Sequence, residues 1–144
     1  MPTVLPDKLE VITRTLLSGA GASEEEASII ARHSIGANLA GHDSHGIIQI
    51  PTYIDRMDRG HIVPGAEYEI LKDTPTTTVV DGHWGFGYVV TERTMKITID
   101  KAKTQNVAAA TVHRQSHVGR LATYPLMAAA ADMIGMITAD SGRS

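Results

Sequence analysis

The sequence predicts an α/β protein in which a helical amino-terminal part, residues 1–65, precedes a mixed α/β part, residues 66–144. Two observations support this prediction. In the first part, apolar residues recur at helical intervals, whereas in the second, short β-branched segments alternate with helical patterns. The chain of 144 residues, 42% of them hydrophobic, is long enough to bury one real core.

Two helices are predicted in the first forty residues. Pro6 suits the first turn of a helix, where its missing N–H costs nothing. Ser23 and Glu26 have the spacing of a capping box, in which each side chain accepts a hydrogen bond from the other residue's amide. We therefore expect a second helix to begin after Ser23 and to end at Gly41.

A polar turn at residues 41–46 precedes a third predicted helix, which reaches about Arg59. Pro51 lies inside this segment and predicts either a kink or a late helix start. Two short strands are then expected, at about residues 68–72 and 76–80, because β-branched residues flank a turn that contains proline.

The glycines of residues 81–87 are interpreted as permitting a tight turn and close packing before the next helix. Their order, Gly-x-x-Gly-x-Gly, is not that of the Rossmann fingerprint. The remaining expected elements are a helix at 88–104, a strand at 107–112, a helix at 121–133 and a strand at 136–139. That last strand has nothing to pair with on its far side, so we expect the sequence to be truncated, with the α/β part incomplete.

Composition excludes several classes of protein. The net charge of −3 gives no basic surface for nucleic acid, and no apolar run approaches the roughly 18–20 residues that cross a membrane. The absence of cysteine excludes disulfides and thiolate chemistry. We expect a cytoplasmic protein without nucleic-acid or membrane partners.

The first candidate site is the pair Ser44–His45, in a turn before a helix. Free amides at a helix start bind anions, and an imidazole can carry a proton. The alternative is structural, with Asp43 or Ser44 capping the helix and the histidines solvated.

The second candidate site is the loop at residues 113–120, between a predicted strand and helix. Ligands bind at such carboxyl ends of strands, and His117 could act as a general acid or base there. The alternative is a polar loop with one capping residue. The spacing of the pairs His42/His45 and His113/His117, three and four residues apart, also permits a metal site, but the glutamate of the H-E-x-x-H motif is missing.

Four segments in this order resemble the malate/L-lactate dehydrogenase-2 family: residues 36–46, 50–53, 81–87 and 116–120. Residues 37–51 look most like the hydroxycarboxylate dehydrogenase B type. The resemblance implies an α/β fold whose cofactor-binding sheet is not a Rossmann fold. It also implies an NAD- or NADP-dependent oxidoreductase that interconverts a 2-hydroxyacid and a 2-oxoacid, and we expect a homodimer.

The resemblance also implies roles for individual residues. Ser44 and His45 match the family's catalytic pair, which an aspartate beyond this sequence completes, and His117 matches an acid/base. Gln49 stands where many members have an arginine that grips the substrate carboxylate. Ser141 falls near a substrate- or cofactor-contacting position. The segment matching cofactor contacts is His117, Val118, Gly119, Arg120 and Leu121.

Two other functions are left open by the sequence. One is a non-catalytic fragment, and the other is a small hydrolase that binds a metal through its histidines.

Overall fold

A computed structural model describes residues 4–140. Within them lie five α-helices and three strands, which confirms the predicted α/β class. The helices are α1 (Pro6–Gly19), α2 (Glu24–Leu39), α3 (Ile50–Asp58), α4 (Gly87–Gln105) and α5 (Thr123–Ala129). The strands are β1 (Glu69–Asp73), β2 (Thr77–Gly85) and β3 (Ala109–Gln115). None of the helices in residues 4–140 is long and apolar enough to span a membrane.

The helix starts follow the local signals in the sequence. Pro6 occupies the first turn of α1. The capping box of α2 is confirmed, since Glu26 N donates to Ser23 Oγ at 3.2 Å and Ser23 N donates to the Glu26 carboxylate at 2.9 Å. Pro51 lies in the first turn of α3, which begins at Ile50 after two short 3₁₀ turns. The late helix start is therefore the correct alternative at Pro51.

The sheet has the order β1-β2-β3. Its first pair, β1 and β2, is antiparallel, whereas β2 and β3 run parallel and are connected through α4. The strands predicted near residues 68–72 and 107–112 are confirmed with small shifts of their ends, and the strand predicted near 76–80 is confirmed but continues to Gly85. This connection brings the residues after β3 to the start of α4.

The tight turn predicted in the glycine-rich segment lies inside a strand, because β2 continues to Gly85. The strand bulges there, with His83 and Trp84 at φ of 43° and 62°, and its register with β3 shifts between Asp81 and Gly85. The strand predicted at residues 136–139 is wrong, because these residues have no ladder partner within residues 4–140.

One apolar cluster joins the helices to the sheet region. It contains residues from both sides of position 65. The division of the chain into parts at 1–65 and 66–144 stays a prediction. The cluster consists of Leu17, Ala22, Ala27, Ile29, Ile30, Ile50, Tyr53, Met57, Ile62, Phe86, Tyr88 and Val89.

A buried carboxylate reinforces the contact between α2 and α4. Glu92 is only 3% exposed and accepts hydrogen bonds from Arg32, at 2.9 Å, and from Lys96, at 2.7 Å. The buried His33 ring lies 2.6 Å from the same carboxylate. These partners, His33 foremost, hold the pKa of Glu92 well below its usual range. His33 thus has a structural role between the two helices.

Candidate active site

The turn that carries Ser44 and His45 is fixed by Asn38 at the end of α2. Asn38 Oδ1 accepts a hydrogen bond from Ile47 N at 2.9 Å, and Asn38 Nδ2 donates to Asp43 Oδ1. A Cβ at Gly46 would lie 2.2 Å from Asn38 Oδ1, so only glycine permits this close approach. The chain is thus held at three points around the predicted catalytic pair.

Ser44 and His45 are within hydrogen-bonding distance of each other. Ser44 Oγ lies 2.9 Å from His45 Nδ1, and the serine is exposed while the histidine is half-buried. The structure therefore brings a hydroxyl and an imidazole together at the surface, the arrangement that a serine–histidine pair requires.

The segment after β3 is packed directly against α4. Ser116 Oγ accepts a hydrogen bond from Gly87 N at 2.9 Å, and a Cβ at Gly87 would lie 2.2 Å from the Ser116 carbonyl oxygen. Gly119 has φ of 70°, and a Cβ there would lie 2.0 Å from Tyr88 Cε1. Glycine at both positions lets the backbone that carries His117 lie against the helix.

The two motifs meet at their histidines. The ring centroids of His45 and His117 are 5.5 Å apart. His117 Nδ1 lies 2.7 Å from the Tyr53 hydroxyl, which lies 3.1 Å from the Tyr88 hydroxyl. Tyr88 in turn donates to the backbone oxygen of His45 at 3.3 Å. Both candidate sites of the sequence analysis therefore form one cluster.

The electrostatics of this cluster favour neutral groups. Burial lowers the pKa of His117 below its usual 6.5, and the neighbouring charges of His45 and Arg56 lower it further. Burial also raises the pKa of both Tyr53 and Tyr88. His117 is thus neutral near pH 7, and both tyrosines keep their protons.

The other predicted residues have varied surroundings. Gln49 Nε2 donates to the Ser44 backbone oxygen at 2.8 Å, so one of its donors is used within the turn. The carbonyl of Val118 accepts from Tyr124 at 2.7 Å. Arg120 Nε is buried without a hydrogen-bond partner among residues 4–140, and Leu121 is half-buried. Ser141 lies outside the described residues.

Sequence reasoning missed three residues of this site, namely Asn38, Tyr53 and Tyr88. Asn38 and Tyr53 fall within segments that carry the family resemblance, but no local pattern indicates their contacts. A buried tyrosine hydroxyl needs a hydrogen-bond partner. That requirement could have drawn attention to both tyrosines, although it cannot identify the partner.

The histidine pairs considered for a metal do not assemble into a ligand cluster. In residues 4–140, the one group of three potential ligands within reach of each other is Glu69, Asp81 and His83. Arg114 already binds the Asp81 carboxylate and lowers the pKa of that group to about 2. Within residues 4–140, the candidate site therefore consists of Ser44 with the histidines and tyrosines.

A separate apolar groove of about 1010 Å³ lies between α1 and α3. Its walls contain none of the predicted site residues, so it is distinct from the histidine cluster. Leu9, Ile12, Leu16, Ile47, Ile50 and Ile54 contribute to its lining.

A neutral histidine that is backed by tyrosines and faces a serine–histidine pair is the arrangement of an acid–base site on an α/β fold. The sequence profile of the malate/L-lactate dehydrogenase family matches residues 4–144, and the chain belongs to that family. The resemblance inferred from the motifs is confirmed.

Individual relatives agree with this assignment. Hydroxycarboxylate dehydrogenase B of Escherichia coli K12 is 36% identical over 116 residues, which are 81% of this chain and 32% of that protein. L-sulfolactate dehydrogenase of Methanothermobacter thermautotrophicus is 33% identical over 138 residues, which are 96% of this chain and 40% of that protein.

Solved structures of the family have the same fold. Malate dehydrogenase from Pyrococcus horikoshii OT3 superposes with a TM-score of 0.88 at 31% identity, covering 90% of this chain and 37% of that one. Sulfolactate dehydrogenase from Methanocaldococcus jannaschii gives a TM-score of 0.86 at 34% identity, covering 88% of this chain and 37% of that one. The chain thus spans about a third of the length of the relatives it matches.

Proposed function

We propose that the protein is an NAD(P)-dependent oxidoreductase that interconverts a 2-hydroxyacid and a 2-oxoacid by hydride transfer. The observation that carries the proposal is His117, a half-buried, neutral imidazole 2.7 Å from the Tyr53 hydroxyl and with its ring centroid 5.5 Å from that of His45. Relatives named hydroxycarboxylate, sulfolactate and L-lactate dehydrogenase support the substrate class.

In the oxidation direction, the alcohol carbon loses a hydride and its hydroxyl loses a proton. His117 takes the hydroxyl proton, because burial lowers its pKa and leaves a neutral imidazole whose lone pair can accept a proton. NAD(P), when bound, supplies the hydride acceptor. In the reduction direction, the protonated His117 returns the proton to the carbonyl oxygen.

Residues 117–121 fit one end of such a cofactor. The buried Arg120 Nε has no partner among the described residues, and a guanidinium donor in that position suits an anionic group such as a phosphate. We assign His117, Val118, Gly119, Arg120 and Leu121 to this contact.

The pair Ser44–His45 is the second proton-handling group in the proposal. Its hydrogen-bonded geometry allows Ser44 to orient the His45 ring beside His117. Gln49 and Ser141 are proposed to contact the substrate. Because glutamine has no charge, Gln49 alone gives a weaker grip on a carboxylate than an arginine.

Several finer points stay predictions. They are the choice between NAD and NADP, the homodimer, the cytoplasmic location and the division of the chain at residue 65.

The test uses the protein expressed at its natural length. Reduction of NAD and NADP is followed with lactate, malate and sulfolactate, first in the unmodified protein and then in His117→Asn. We expect turnover with at least one of them, and a loss of roughly 100-fold or more in His117→Asn, the usual scale for removing a general acid or base.

The matched control is His61→Asn, because His61 is exposed and lies outside the cluster. Turnover in His117→Asn close to that of His61→Asn would remove His117 from the mechanism. No turnover with any hydroxyacid would instead favour the non-catalytic alternative.

A further inference from the structure

Three polar contacts follow one another beneath His117. They join His117 Nδ1 to Tyr53 Oη at 2.7 Å, Tyr53 Oη to Tyr88 Oη at 3.1 Å, and Tyr88 Oη to the His45 carbonyl oxygen at 3.3 Å. The two tyrosines are only 2% and 1% exposed. Water therefore has little access to these hydroxyls, and their protons must be shared among the four groups.

The direction of the chain follows from its last member. A carbonyl oxygen can only accept, so the single proton of Tyr88 goes to His45. Tyr53 must then donate its own proton to Tyr88. In the remaining contact the Tyr53 oxygen must therefore accept a hydrogen bond, which His117 Nδ1–H donates. No other direction satisfies all three contacts with neutral tyrosines.

The charges support the same direction. Burial raises the pKa of both tyrosines, so neither becomes a phenolate that could reverse the chain. Burial and nearby cations lower the pKa of His117, so its ring is neutral and has one proton to place. That proton lies on Nδ1, and Nε2 keeps its lone pair.

We propose that Tyr53 and Tyr88 are positioning residues that fix His117 as the Nδ1–H tautomer, through a directed hydrogen-bond chain ending on the His45 carbonyl. Its catalytic consequence rests on the function proposed above. With Nδ1 occupied as a donor, Nε2 is the atom that accepts the hydroxyl proton. The opposite tautomer would carry hydrogen on Nε2 and could not act as a base there.

The tautomer can be measured directly in the natural-length protein labelled with ¹⁵N-histidine. We expect the spectrum of neutral His117 to show a protonated Nδ1 and an unprotonated Nε2. A spectrum with the proton on Nε2 would overturn the proposal without any variant being made.

Tyr88→Phe provides the sharpest variant, because it keeps the ring in the core and removes a hydroxyl that does not touch His117. Among residues 4–140, the only remaining partner of Tyr53 is then His117 Nδ1, so the tyrosine donates to the ring. We expect the tautomer to switch to Nε2–H. Tyr68→Phe is the control, since Tyr68 bonds only Thr94 at 2.9 Å in the described structure, and it should leave the His117 signals unchanged.

Kinetics separate this proposal from the proposed function. Holding the wrong tautomer of a catalytic histidine costs up to about 10⁴-fold in kcat in a serine protease, so we expect at least roughly tenfold in Tyr88→Phe. The acidic limb of the pH profile of kcat should also shift in Tyr88→Phe. If the tautomer switches in Tyr88→Phe but kcat is unchanged, the hydrogen-bond chain has no catalytic role. If the unmodified protein shows the Nδ1–H tautomer but is inactive, only the proposed function is refuted.

Discussion

Replacing Gly119 with alanine tests how tightly the segment after β3 is packed on α4. Its φ of 70° costs an alanine about 1–2 kcal/mol. The new Cβ would also lie 2.0 Å from Tyr88 Cε1, whereas carbon atoms prefer about 3.5–4.0 Å. Forcing the buried Tyr88 ring aside costs about 1–3 kcal/mol more. We expect Gly119→Ala to lower the free energy of unfolding by about 2–5 kcal/mol.

Urea denaturation of the natural-length protein measures this loss, and two other glycines separate its causes. Gly60 has φ of 71° but no atom within 4 Å of its added Cβ, so Gly60→Ala should show the backbone cost alone, about 1–2 kcal/mol. Gly36 lies in α2 with open space around it, and Gly36→Ala should stabilise by about 0.5–1 kcal/mol. If Gly119→Ala and Gly60→Ala lose equal stability, Tyr88 is not clamped by this segment.

Two further perturbations test the charges around the site and the core. Arg56→Gln should raise the pKa of His117, because it removes a cation that disfavours the protonated ring. Arg59→Gln is the control and should leave this pKa unchanged. An NMR titration of His117 measures the pKa in both variants. Since the folded pKa of His117 lies below 6.5, stability should rise as the pH increases through this depressed pKa to above 6.5, and less steeply in Arg56→Gln. Glu92→Ala should lower the free energy of unfolding, measured with urea, by about 3–5 kcal/mol, because the buried His33 loses its partner. Glu25 is exposed, so Glu25→Ala should lower it by only about 0–1 kcal/mol. Equal losses in the two variants would contradict the importance of the buried pair.

The sequence predictions are accurate where a structure depends on residues close together in the sequence, and less accurate where it depends on distant ones. The capping box of Ser23 and Glu26 and the helix start at Pro51 depend on contacts within a few residues, and both were predictable. Residues 136–139 have the composition of a strand, but a strand exists only where a partner supplies hydrogen bonds. The glycines of residues 81–87 indicate a tight turn, but no local pattern shows that β2 continues through it and pairs with β3 across a bulge.

The site was predictable in its parts but not in its assembly. Ser44, His45 and His117 could be selected because polar residues with acid–base chemistry stood at helix starts and strand ends. Their convergence depends on the parallel pairing of β2 and β3, which the sequence does not encode locally. Tyr53 and Tyr88 read as ordinary core residues, and only their distances to His117 and His45 reveal a second role.

The dual role of Tyr53 and Tyr88 has a consequence for how the site is maintained. Their rings belong to the apolar cluster that joins the helices to the sheet region, while their hydroxyls join His117 to the His45 carbonyl. A change that displaces either ring therefore also displaces its hydroxyl. Gly119 makes this coupling tight, because its missing side chain is the space that the Tyr88 ring occupies. The role proposed for His117 thus depends on a glycine and two tyrosines as well as on the histidine itself.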